Sequence, residues 1–134
     1  MKNLTVTSSH FQSGSSSPRI SAVDTSIIKI AGSEFIRNSA SQGAALNFKS
    51  EIESSVIVTS SSFAENSGCE GGSIYLDGVN STFTDNTFTS NTARCKPYNG
   101  GAVEVNCAVG CWTSFINNTF LNNSAVQRGG ALHW

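Results

Sequence analysis

Charge is scarce in this sequence. Only 13% of the 134 residues are Asp, Glu, Lys or Arg and the net charge is −1, so there is no basic surface for nucleic acid or an anionic membrane. Long apolar runs are missing too: nothing approaches the roughly 20 residues that a membrane span needs. The opening Met1-Lys2-Asn3-Leu4-Thr5-Val6-Thr7 has neither an apolar h-region nor a small-residue cleavage site. It does not read as a secretory signal, and the chain is expected to be a mature form or a piece of a longer protein. No segment sustains apolar residues at a 3.6-residue spacing, which argues against helical repeats. Ser, Thr, Asn and Gly are abundant instead, yet 38% apolar content and eight Phe are too much for a disordered linker.

The small polar residues recur at fixed places. One motif is Phe-x-x-Asn-x-Ala, at Phe35 through Asn38 to Ala40, Phe88 through Asn91 to Ala93, and Phe120 through Asn123 to Ala125. Phe63 with Asn66 is a fourth copy, with Gly68 in place of Ala, and Phe11-Gln12-Ser13-Gly14 is a degraded fifth. A Gly/Ala-rich strand opener follows each clear copy: Gly43-Ala44-Ala45-Leu46, Gly71-Gly72-Ser73-Ile74, Gly100-Gly101-Ala102-Val103 and Gly129-Gly130-Ala131-Leu132. Their first glycines are 28, 29 and 29 residues apart. Before each Phe stand an apolar residue five positions upstream and a Ser or Asn two upstream: Val6/Ser9, Ile30/Ser33, Val58/Ser61, Phe83/Asn86 and Phe115/Asn118. A period of two in Leu46/Phe48, Ile74/Leu76 and Val103/Val105 marks short strands.

Such a repeat predicts a right-handed parallel β-helix of about five coils of about 28 residues, spanning 1–134 as one domain. A single coil cannot bury its inward row, but stacked coils ~4.8 Å apart make a continuous core. Phe11, Phe35, Phe63, Phe88 and Phe120 are expected to form one aromatic ladder, and Asn38, Asn66, Asn91 and Asn123 an amide ladder at a corner. Gly72, Gly101 and Gly130, with Ala44, would let a strand start close to the core. The rival fold, a β-sandwich, does not explain a repeated corner Asn.

Over residues 11–134 the pairing of Phe-x-x-Asn with Gly-Gly-Ala-(Ile/Leu/Val) resembles the repeats of the chlamydial polymorphic membrane proteins, and related repeats in secreted and surface proteins of protists. The resemblance implies a right-handed parallel β-helix of the kind found in the passenger part of surface adhesins, with the Phe and Asn positions as ladder residues. The first coil departs from the pattern, with Gly14 where Asn is expected and Ile20-Ser21-Ala22-Val23 where Gly-Gly-Ala is expected.

Four Cys allow two bridges. Cys69 and Cys95 fall in equivalent corners of neighbouring coils and Cys107 and Cys111 flank a short loop, so Cys69–Cys95 and Cys107–Cys111 are the expected disulfides. Free thiols are the plainer alternative, and the C-x₃-C spacing is weak evidence for zinc. Asn3, Asn80, Asn117 and Asn122 begin Asn-x-Ser/Thr sequons and are glycosylation candidates. With the paired cysteines they favour an extracellular or cell-surface location.

Polysaccharide chemistry needs carboxylates converging on one face. Here Glu65 shares its column with Arg37, Ser90 and Asn122, and Glu104 shares its column with Asn47, Tyr75 and His133, with no second acid in either. Glu51 and Glu53 fall in a loop, His10 and His133 are expected to be exposed, and Arg94, Lys96 and Arg128 decorate one edge. No catalytic residue, metal or cofactor is expected. The reading is a non-catalytic structural or adhesive module, with a glycan or cell-surface partner. The alternative is a β-helix that binds or cleaves carbohydrate through Asn47, Tyr75, Glu104 and His133. The opening Leu4–Phe11 segment matches Val56–Phe63, and the chain stops on the core pattern Ala131-Leu132-His133-Trp134, so end-to-end stacking into a fibre is also expected.

Overall fold

A computed structural model describes residues 2–12, 20–23, 27–97, 99–108 and 110–134. Gly14, the departure in the degraded first motif, lies outside the described residues. The chain winds as an all-β parallel solenoid, and each pass visits the same sheets in the same order. Sheet A holds Asn3–Thr7, Ile27–Ala31, Ser55–Thr59, Asn80–Thr84 and Thr113–Ile116. Sheet B holds His10–Gln12, Glu34–Ile36, Ser62–Ala64, Thr87–Thr89 and Thr119–Leu121. Sheet D is short, with Ser67–Gly68, Thr92–Ala93 and Ser124–Ala125. Sheet C closes the turn with Ile20–Val23, Leu46–Lys49, Ile74–Asp77, Val103–Asn106 and Leu132–His133. Five passes make about four complete turns.

Register is kept residue for residue, and the aromatic ladder follows from it. Phe35 pairs with Phe11 and Phe63, and Phe88 with Phe63 and Phe120. The successive rings are stacked 4.7, 5.0, 4.9 and 4.7 Å apart, the spacing of the strands themselves. Phe83 and Phe115 form a second short stack at 5.0 Å and meet the main ladder edge-on. Each fully buried ring contributes roughly 1.5–3 kcal/mol.

Two amide and hydroxyl ladders run beside the rings, both with one polarity. The backbone N–H and Nδ2 of Asn38 donate to Asn66 Oδ1, those of Asn66 to Asn91, and those of Asn91 to Asn123, at 2.9 to 3.0 Å. The second Nδ2 hydrogen of each of Asn66, Asn91 and Asn123 reaches back to the carbonyl of Phe35, Phe63 or Phe88. At the other corner Ser9 N–H donates to Ser33 Oγ, Ser33 to Ser61, Ser61 to Asn86 and Asn86 to Asn118. Buried backbone donors at both corners thus find partners without sheet pairing.

Both corners need a left-handed residue in every turn. Ser8, Gly32, Ser60, Asp85 and Asn117 lead into sheet B, and Arg37, Glu65, Ser90 and Asn122 lead out of it, all with φ between 46 and 57°. Asn and Asp tolerate this region best; the ladders hold Arg and Glu there as well. At the opener of sheet C, Gly71 also has positive φ (58°). A Cβ on the following Gly72 would fall 2.0 Å from Gly101 O and 2.6 Å from the backbone of Thr92. Close coil stacking therefore requires glycine at position 72. One expectation is corrected in the first coil. Ile20 pairs with Leu46, so Ile20–Val23 is the strand itself and the positions equivalent to Gly-Gly-Ala fall among undescribed residues.

The repeat length is not constant. Successive sheet A columns, Leu4, Ile28, Val56, Ser81 and Thr113, are 24, 28, 25 and 32 residues apart while their register holds. The five-residue step from sheet A to the Phe column and the four-residue step to sheet D are invariant. All the variation falls in the two corners that bound sheet C. From sheet D to sheet C the steps are 7, 7, 11 and 8 residues. From sheet C back to sheet A they are 8, 10, 7 and 10.

Two comparisons test the stacked core in urea unfolding. Phe63→Ala should cost about 3–5 kcal/mol, and Phe11→Ala, at the half-buried end of the ladder, clearly less. Asn66→Ala, which strands a buried N–H and a buried carbonyl, should cost about 2–4 kcal/mol, and Asn123→Ala at the exposed end about half as much. Equal effects at the centre and end of either ladder would contradict this architecture.

Candidate functional site

Strand alternation sends Leu46/Phe48, Ile74/Leu76 and Val103/Val105 inward from sheet C. The outward residues form columns: Asn47, Tyr75, Glu104 and His133, and beside them Lys49, Asp77 and Asn106. A third column stands at the entry corner, where Gln42, Glu70, Asn99 and Arg128 each immediately precede the opening glycine of the strand. Gln42 bridges to Glu70, Gly71 N–H donates to Asn99 O and Gly100 N–H to Arg128 O. Sequence reasoning treated Arg128 as an edge cation and missed this column, although its position before each opening glycine marks it.

The columns bring together acids that the sequence leaves scattered. Glu70, Asp77 and Glu104 all lie near Tyr75. Burial first, then these charges, push the phenol above its ordinary value, against the hydrogen bond with Asn106. Tyr75 is only 6% exposed, and Lys49 Nζ stands 5.2 Å from its ring centre. Its face is therefore closed to a stacking ligand, which corrects its assignment as a sugar contact. His133 is corrected as well: it is half-buried, with Nδ1 3.0 Å from Glu104 Oε1. The other carboxylate oxygen of Glu104, and Asn99 Oδ1, are buried with no hydrogen-bond partner among the described residues. Gln42 Nε2 donates to Glu70 Oε2 and Asn47 Nδ2 to Gln42 O. Among the described residues no group of three His, Cys, Asp or Glu side chains could hold a metal ion.

Loops wall this face. Ser50–Ser54 and Ala108 to Cys111 border an open groove of about 500 Å³ over Asp77, Gly78 and Asn80. Beyond it Val105, Cys107, Cys111, Trp112, Thr113, Phe115 and Trp134 line an apolar cavity of about 270 Å³. Both expected disulfides are formed. Cys69–Cys95 ties adjacent coils at the entry corner with Cα atoms 4.6 Å apart, and Cys107–Cys111 closes the exit loop at 5.8 Å. Both lie in the corners of variable length.

The remaining residues singled out from sequence stand away from sheet C or at its rim. His10 pairs with Glu34 at 2.9 Å and Arg37 with Glu65 at 2.8 Å on exposed corners. Arg94 donates to Ser39 Oγ, and Lys96 and Arg128 are exposed. Glu51 and Glu53 are exposed in the loop that borders the groove. Asn117 and Asn122 occupy exposed corners, Asn3 is exposed on the first strand of sheet A, and Asn80 is half-buried beside the groove.

Burial outweighs the attraction of His133 and raises the Glu104 carboxyl above its ordinary value of 4.5. The stability linked to this group is therefore fully present below that ordinary value, and is lost as pH rises through the raised one. Glu104→Gln fixes the neutral form and should flatten this part of the curve of melting temperature against pH. Parallel curves for parent and variant between pH 4 and 7 would contradict the assignment. Compared with known protein families, with curated proteins and with solved structures, the chain finds no match.

Proposed function

We propose that the chain is an extracellular structural module, a rigid β-helix that presents sheet C to a glycan or other cell-surface partner and carries out no chemistry of its own. The observation that carries this reading is the distribution of variation around the section. Sheets A, B and D keep fixed spacing, while the corners that flank sheet C change length, hold the cross-links and wall a groove. Surface variation on a rigid frame is the usual arrangement of binding proteins. Two disulfides, a bond type that persists in oxidising compartments, support the extracellular placement. The resemblance to adhesin repeats points the same way at the level of fold.

Self-association belongs to the same reading. The outermost strands each have an edge unpaired within this chain, and they carry matching residue classes: Val6 with Phe115, Phe11 with Phe120, and Ile20 with Leu132. One copy's first coil would continue another's last, a heterologous contact that does not close.

One observation favours a second reading, carbohydrate binding or cleavage: Glu70, Asp77 and Glu104 gather around Tyr75. Glycan-array and cell-binding measurements separate the two readings. Binding is expected to weaken about tenfold, the loss of ~1.4 kcal/mol, in Arg128→Ala, and to be unchanged in Thr87→Ala on sheet B. Release of reducing ends from an acidic polysaccharide, abolished in Glu104→Gln, would establish the second reading instead. Light scattering across a dilution series should show concentration-dependent oligomers; monomer throughout would remove the stacking element.

A further inference from the structure

The four sequons stand on different kinds of backbone. Asn80 begins a strand with neighbours on both sides, is half-buried and accepts the Trp112 N–H at Oδ1 (3.1 Å). The middle residue of that sequon, Ser81, is fully buried and bonds Thr113 Oγ1 at 2.8 Å. Asn80 also lines the groove under the Ala108 to Cys111 loop, where a branched sugar has no room beside the loop wall.

Asn117 and Asn122 are placed differently. Both are exposed and left-handed, at φ 52 and 54°, at the tight corners before and after the strand Thr119–Leu121. In each, the middle residue of the sequon is a ladder amide. Asn118 and Asn123 donate to the carbonyls of Phe83 and Phe88 at 2.8 and 2.9 Å. That inward anchor leaves the acceptor Asn and its hydroxyl partner, Thr119 or Ser124, on the outside, where all four residues are exposed. An Asn in such a turn can also bond its own backbone two residues on, bringing the amide toward the hydroxyl residue. Asn117 Nδ2 donates to Asp85 Oδ1 at 2.6 Å on the exposed surface, a bond that water can replace.

We infer that Asn117 and Asn122 are N-glycan acceptors and that Asn80 is not; the inference rests on the extracellular placement proposed above. The donor is a lipid-linked oligosaccharide diphosphate. A bond forms between Asn Nδ2 and C1 of the first sugar as the bond from C1 to the diphosphate oxygen breaks. The amide gives up one proton, and the lipid diphosphate leaves with the electron pair. Sugars at these two positions flank sheet B at its corners with sheets A and D. Neither corner bounds sheet C, so the recognition face stays uncovered.

The test uses the full chain, secreted from a eukaryotic host and purified folded. Enzymatic release of N-glycans in ¹⁸O water marks each occupied Asn by mass. Label is expected at Asn117 and Asn122 and absent from Asn80. Thr119→Val and Ser124→Ala should each remove one glycan and leave the circular dichroism unchanged. Label at Asn80 in folded protein, or either corner bare, would overturn the inference. Bare corners with partner binding intact would leave the recognition reading standing. Occupied corners in a chain that binds no glycan or cell would remove that reading and keep this one.

Discussion

Parallel in-register stacking is the constraint on which everything else in this molecule depends. Each residue lies directly over its counterpart one turn away, so a side chain's main neighbour is whatever occupies the same place in the next coil. Where self-contact is favourable, the sequence repeats itself. Phe stacks on Phe, and an amide, which both donates and accepts, stacks on an amide. Where self-contact is unfavourable, the sequence must change from turn to turn. Like charges set directly opposite one another on adjacent strands destabilise a sheet. The charged columns alternate accordingly: Arg37 lies over Glu65, His10 over Glu34 and Lys49 beside Asp77. The low charge content of the chain is a consequence of the same rule.

That rule also explains what the sequence discloses. The Phe and Asn ladders were legible because their chemistry demands the same residue every turn, and both disulfides were legible because stacking brings equivalent corners together. The sheet C surface was much less so. Gln42, Glu70, Asn99 and Arg128 share a position but no residue type, and only the glycine that follows each one betrays the column. The convergence of Glu70, Asp77 and Glu104 crosses three columns, and no single period reports it. Tyr75 reads as an outward aromatic, as its place in the strand says. Its burial comes from Lys49 and the neighbouring polar side chains, a packing effect that alternation does not encode. The first coil was misaligned because loop length, rather than repeat length, changes between turns.

The division between invariant and variable parts gives the frame its use. Sheets A, B and D, with both polar ladders, fix the distance between coils, and the corners around sheet C are free to differ without disturbing it. A surface can thus be altered loop by loop while the core register is retained, which suits a protein that must meet a partner on one face. The half-buried Glu104–His133 pair and the unpartnered oxygens nearby place polar groups in an environment where electrostatic contacts are stronger than in water.

The bridge between Cys69 and Cys95 bears on how the solenoid would respond to force. Backbone hydrogen bonds between coils run along the long axis, so tension between the two ends draws on them one turn after another, and coils would peel away in order. A covalent tie across one such step halts the peeling there. The protein would lengthen from its ends while two central turns stay joined, a built-in limit on extension.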